Sequence, residues 1–249
     1  MYNRRRLLQI GSAVLSGGLM PHWALALEKM QGHWSVLADM PYKTQEIYPA
    51  LLAGNIHIAG GFAAIGAEVS PTNRHIQYNI ATGRWRELAS LPEVRHHLQL
   101  VVCQEVLYAL GGFGINASGQ WVMQDQSWSY DAEADTWHKA TAAPEVHAES
   151  VATVMGDSAI HIVGGRTPSA QRNASWLDHG DSVRHLIYHV GSQEWSQAAP
   201  PLHSRNSAAG ANINGQLYVV GGRTVSGGNV SYLEVYDVRE ERWRMAAPL

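Results

Sequence analysis

The sequence contains a single cysteine, Cys103, and only two phenylalanines, Phe62 and Phe113, in 249 residues. One thiol excludes an internal disulfide and a cysteine metal cluster, so packing alone must hold the fold together. Charge is also sparse. With 18 Lys+Arg against 21 Asp+Glu the net charge is −3, which provides no field for nucleic acid. Beyond the first 26 residues no apolar run approaches the ~20 residues that span a bilayer, so no membrane partner is expected after a leader is removed. No Ser-His-Asp elbow, phosphate-cradling glycine loop or HExxH helix occurs, which removes hydrolase, kinase and zincin readings. These readings call for no metal and no cofactor.

Residues 1–26, MYNRRRLLQIGSAVLSGGLMPHWALA, join a basic cluster to a weakly apolar stretch that ends in Ala24-Leu25-Ala26. Those are the three parts of an export leader, with cleavage expected after Ala26. Arg4-Arg5-Arg6-Leu7-Leu8 resembles the twin-arginine signal. The resemblance implies a bacterial protein that folds before export and works in the periplasm or outside the cell.

What the chain has in abundance is an internal repeat. Glycine pairs stand at Gly60-Gly61, Gly111-Gly112, Gly164-Gly165 and Gly221-Gly222, 51, 53 and 57 residues apart. Each closes an alternating apolar run: NIHIAGG, VLYALGG, AIHIVGG and QLYVVGG. Downstream, Tyr and Trp are seven residues apart in every copy, at 78 and 85, 130 and 137, 188 and 195, and 236 and 243. A constant spacing implies a hairpin of one turn length. Glycine suits a tight turn, and Tyr and Trp fill the space between sheets.

Glycine pair, spaced Tyr and Trp, and a period near 50 residues resemble the kelch motif, from about Trp34 to Leu249. The resemblance implies an all-β propeller whose blades are four-stranded antiparallel sheets, with strands a to d running from the channel outward. Blades are expected at about 41–90, 91–143, 144–200 and 201–249, within a propeller domain of 27–249. Residues 32–40 read as a lone strand d that closes a last blade. Repeat four ends where another strand a should begin, so four complete blades plus an orphan strand imply a fragment of a five- to seven-bladed propeller, six by resemblance.

In such a meander the loops joining strands b and c emerge on one face together with the d–a junctions. From the second glycine to the Tyr the separations are 17, 18, 23 and 14 residues, so variation concentrates in the b–c loops and ligands are expected there. Aligning strand a on the glycines puts Thr44, Arg95, His147 and Arg205 at one level, and Glu46, His97, Glu149 and Ser207 two residues further on. Period-two alternation predicts that both levels face the channel. There Arg95 and Arg205 would hold a carboxylate, with Asn206 beside Arg205, while Glu149 and His97 move protons. The longest b–c loop, Arg166 to Ser182, adds Trp176, Asp178 and His179, with Arg172, as a sugar-type site, and blade two offers Trp121 and Asp125.

Two functions fit. The first is an exported propeller that binds a small molecule or a protein on its b–c face. The second is a sugar mutarotase, since periplasmic sialic acid mutarotases are exported kelch propellers whose chemistry needs an acid, a base and a cation. Galactose oxidases share kelch blades, but their copper is held by tyrosines and histidines, one tyrosine being cross-linked to a cysteine. Here Cys103 falls in strand a of blade two, where a small apolar core role is expected, so that chemistry is disfavoured.

Overall fold

The computed structural model describes residues 33–65 and 68–249. Their strands form four four-stranded antiparallel meanders, each in the order a-b-c-d. Blade one is Ala50–Leu52, Asn55–Ala59, His75–Asn79 and Arg84–Leu88. Blade two is Gln99–Cys103, Val106–Leu110, Ser127–Asp131 and Thr136–Ala140. Blade three is Val151–Met155, Ala159–Val163, His185–His189 and Glu194–Gln197. Blade four is Ala209–Ile213, Gln216–Val220, Leu233–Asp237 and Arg242–Met245. All four lie in one unit, Ala38–Leu249.

The seven-residue spacing of Tyr and Trp is strand register. Tyr78 pairs directly with Trp85, Tyr130 with Trp137, Tyr188 with Trp195 and Tyr236 with Trp243. Their ring centroids lie 5.0, 5.0, 4.9 and 5.2 Å apart. Cross-strand aromatic pairs of this kind stabilise a sheet by roughly 0.2–1 kcal/mol. The tryptophans do a second job, because each indole N–H reaches back across a blade boundary. Trp137 Nε1 donates to the Ala89 carbonyl at 2.9 Å, Trp195 to Thr141 at 3.1 Å and Trp243 to Ala199 at 2.8 Å. The acceptor always stands four residues after the previous tryptophan.

Residues 33–40 form no strand, and Gly32 lies outside the described residues, as does the whole expected leader, residues 1–26. Ala38, four residues after Trp34, still accepts the Trp85 indole N–H at 3.0 Å, so this segment supplies the same latch as a strand d.

Among the described residues, three larger apolar clusters join successive blades, and a smaller one of Phe113, Met123 and Ala148 joins the blade-two b–c hairpin to the start of blade three. Leu52, Leu88, Leu98, Leu107 and Trp128 join blades one and two. Cys103, Leu110, Ile160 and Tyr188 join two and three, so the lone thiol fills the apolar place expected of it. Val151, Val163, Leu217 and Trp243 join three and four.

Each glycine pair marks a point of close backbone approach. Gly61 N–H donates to the Arg95 carbonyl at 2.7 Å, Gly112 to His147 at 2.8 Å and Gly165 to Arg205 at 2.8 Å, always from one blade to the start of strand a in the next. The pairs have φ between +59° and +101°. A side chain at Gly112 would bring Cβ within 2.8 Å of both the His96 carbonyl oxygen and Leu98 Cα. Only glycine meets both demands.

The b–c connections of blades one to three are themselves hairpins. They pair Phe62–Ile65 with Glu68–Pro71, Phe113–Ile115 with Trp121–Met123, and Arg166–Pro168 with His179–Asp181. Each begins at the residue after the glycine pair, Phe62, Phe113 or Arg166, and all three of these are buried.

Candidate functional site

Four equivalent residues, Glu46, His97, Glu149 and Ser207, share a left-handed backbone, with φ of 55°, 53°, 52° and 51°. This conformation costs a non-glycine residue on the order of 1–3 kcal/mol, and it recurs at the same point of every blade. Their side chains form one connected series. His97 Nε2 lies 2.9 Å from Glu46 Oε2 and 3.9 Å from Glu149 Oε1. The Ser207 hydroxyl donates to Glu149 Oε2. The backbone follows the same path, Glu149 N–H donating to the His97 carbonyl and Ser207 N–H to that of Glu149.

The same backbone turn breaks the expected alternation. Arg95, His147 and Arg205, two residues earlier, do not join the ring. Arg95 is 1% exposed, pairs with Glu93 at 3.1 Å and lies 4.7 Å over the Trp128 ring. Arg205 turns into its own blade, where it pairs with buried Glu234 at 3.1 Å and donates to the Val219 carbonyl. His147 is buried against the Ser150 hydroxyl at 3.2 Å, and burial lowers its pKa to about 4. The expectation that the two arginines hold a carboxylate in the channel is therefore corrected. Period two holds only while φ stays in the β region.

Two arginines that the sequence reading passed over take that place. Arg166 and Arg223 follow the glycine pairs of blades three and four, where blades one and two have Phe62 and Phe113. Arg166 Nε lies 2.8 Å from Glu149 Oε1, and Arg223 Nη2 lies 3.1 Å from Glu149 Oε2. Arg166 is buried, whereas the Arg223 side chain is 47% exposed. Asn206 is fully buried and orients Arg223, its amide oxygen accepting from Arg223 Nε at 3.2 Å and its NH₂ donating to Asp181 at 2.5 Å.

These contacts decide the charge states. Burial pushes the Glu149 carboxyl up, but the Ser207 hydroxyl, Arg166, His97 and Arg223 outweigh it and hold its pKa below the ordinary value. Glu149 is thus an ionised hub joining blades two, three and four, and a poor base. His97 is pushed down, first by burial, against the pull of Glu149 and Glu46 and with the help of Arg166 and Arg223, so its imidazole is neutral. Glu46, 41% exposed, is the carboxylate of the ring that a ligand can reach.

Glu46, Tyr48, Ser207, Gly222, Arg223 and Asn229 line a cleft of about 340 Å³. Tyr48 is half-buried; desolvation first, then Glu149 and Glu46, raise its phenol to about 12.

The long blade-three loop is built differently from the sugar site expected of it. The Asp178 carboxylate is taken up by the backbone N–H groups of Ala174 and Ser175, both at 3.0 Å. Arg172 lies 3.5 Å from that carboxylate. His179 stacks on Phe113 with centroids 5.2 Å apart, its Nδ1 3.4 Å from Arg166 Nη1. The backbone of Trp176–Asp178 is one 3₁₀ turn, while the Trp176 indole lies outside the described side chains. In blade two, Trp121 is 41% exposed and packs on Phe62 at 5.0 Å.

Comparison with known proteins agrees with this architecture. Residues 204–249 match the kelch motif. The chain is 31% identical over 226 residues to kelch-like protein terF of Aspergillus terreus, covering 87% of this chain and 48% of that protein. It is 25% identical over 217 residues to human kelch-like protein 23, covering 87% and 35% respectively. The chain thus spans half or less of the curated relatives it matches. The solved structure of YjhT superposes with a TM-score of 0.72 at 19% identity, covering 86% of this chain and 68% of that one, a likeness of fold.

Proposed function

We propose that this kelch-repeat propeller is exported and binds a small, polar ligand with an anionic group in the cleft at the b–c face. The observation that carries this is the pairing of a half-exposed guanidinium, Arg223, with a reachable carboxylate, Glu46, in one cleft of about 340 Å³. Arg223 is pre-oriented by Asn206 and so loses little freedom on binding a carboxylate. Calorimetric titration with N-acetylneuraminate and glucuronate should show binding that Arg223→Ala weakens about 10-fold or more, the ~1.5–3 kcal/mol of a charged hydrogen bond. Equal heats for both proteins would remove Arg223 from the site.

A second reading, sugar mutarotation, is favoured by the 2.9 Å approach of His97 Nε2 to the Glu46 carboxylate and the shared cleft with Tyr48. It moves the base from Glu149, which is saturated, to Glu46. Glu46 takes the proton of the anomeric hydroxyl while the Tyr48 phenol protonates the ring oxygen and the ring C–O bond breaks. Reclosure on the other face of the carbonyl returns both protons. Exchange spectroscopy on N-acetylneuraminate should show faster anomer interconversion, lost in Glu46→Gln. Unchanged exchange with the wild type leaves the binding function alone.

A further inference from the structure

The structure assigns His96 as the residue that positions His97, fixing which nitrogen of that imidazole carries the proton presented to Glu46. The inference rests on the mutarotation reading but draws on separate geometry. His96 Nδ1 lies 2.6 Å from His97 Nδ1, and the rings are 4.9 Å apart at 69°. Neighbouring residues of a regular strand point to opposite faces. The left-handed φ of 53° at His97 is what brings the two rings together.

The hydrogen-bond network leaves one assignment. Two bare acceptors 2.9 Å apart would repel, and the Glu46 carboxylate carries no hydrogen, so His97 Nε2, which faces it at that distance, carries one. A neutral imidazole has a single N–H, so His97 Nδ1 is an acceptor and needs a donor. His96 Nδ1 is that donor. His96 Nε2 is then bare, and it is a buried nitrogen with no hydrogen-bond partner among the described residues. His96 is fully buried in an aromatic slot, 4.2 Å from Phe62, stacked on Phe113 at 5.1 Å and 18°, and edge-on to Trp121 at 4.6 Å. Such a slot disfavours a second proton, so His96 can only give the Nδ1 hydrogen bond. His97 therefore presents N–H to Glu46 in one fixed tautomer, and Glu46 keeps its second oxygen for the ligand hydroxyl.

Nitrogen NMR of the wild-type protein at pH 7 tests this without any substitution. The expected spectrum has His97 protonated at Nε2 and bare at Nδ1, with the opposite pattern at His96. His97 protonated at Nδ1 would overturn the proposal. In His96→Phe, which keeps the aromatic stack, the His97 nitrogens should shift toward the averaged values of a mixed tautomer. His96→Asn, which offers an amide N–H near the lost Nδ1–H, should restore them. Unchanged His97 shifts in His96→Phe would equally overturn it. If the tautomers are as expected and N-acetylneuraminate interconversion is not accelerated, the reaction reading fails while the positioning role stands.

Discussion

Acidification from pH 7 to pH 5 should come close to unfolding this protein. His57, His75, His96, His147, His161 and His185 are all buried. Burial, the leading cause at each, lowers their pKa values to about 4, 3, 3, 4, 3 and 4. Two pairs are wired alike. His75 Nδ1–H donates to the Ala89 carbonyl at 3.3 Å, which leaves its Nε2 to accept from His57 Nδ1–H at 2.9 Å. His185 donates to Ala199 at 3.1 Å and accepts from His161 at 2.8 Å. A histidine whose folded pKa is depressed contributes stability that is complete above its unfolded value of about 6.5. That stability is lost as the pH falls from there toward the folded value, because the unfolded chain takes up protons the native state refuses. At pH 5 the loss is about 2 kcal/mol per site, and about 12 kcal/mol for six, as much as the ~5–15 kcal/mol that holds a typical domain. Glu149, whose pKa is also lowered, works in the same direction only below its unfolded value of about 4.3, outside this window. Urea unfolding followed by tryptophan fluorescence at pH 8, 7, 6 and 5.5 should give midpoints that are level above 7 and fall steeply below 6.5. In His57→Gln/His75→Gln the fall should be shallower by close to two protons. A midpoint constant from pH 7 to 5.5 would show that these histidines do not hold the native state against protonation.

Further outcomes follow from the blade contacts. Trp137→Phe keeps an aromatic ring but deletes the hydrogen bond to Ala89 and part of the packed indole, and should cost at least about 1 kcal/mol in urea unfolding. Gly112→Ala, at φ +85° with backbone 2.8 Å from the new Cβ, should destabilise by at least about 3 kcal/mol, while Gly119→Ala, at φ +75° with open space around it, should cost about 1 kcal/mol. Arg166→Met leaves the buried Glu149 carboxylate short of a cation and should cost about 3–5 kcal/mol, with Glu149 titrating higher by carbon NMR.

Much of the fold was legible because its signals are local. The Tyr and Trp spacing encodes a hairpin register that contains no tertiary information, and it holds in all four blades. The glycine pairs were readable as turns, though the carbonyls of Arg95, His147 and Arg205 that press on them were not, because those contacts cross blades. At the site, the sequence placed Glu46, His97, Glu149 and Ser207 at one level, and the structure joins them. It misplaced Arg95 and Arg205 because nothing in a Glu, His or Ser announces a left-handed backbone. Arg166 and Arg223 had a signal in the residue after each glycine pair, which runs Phe62, Phe113, Arg166, Arg223. Tyr48 had one in lying two residues past Glu46. The buried histidine pairs had one as well, since strand b alternates His57, Tyr108, His161 and Tyr218.

On the proposed function the ligand enters beside Arg223 and Glu46. The most direct test of this is a side-chain NMR titration of the Arg223 Nε–Hε resonance with N-acetylneuraminate. A saturable shift of that resonance, with the Arg205 guanidinium unmoved beside Glu234, is the predicted result. A shift at Arg205 alone, or none at millimolar sugar, would mean that the ligand does not enter beside Arg223.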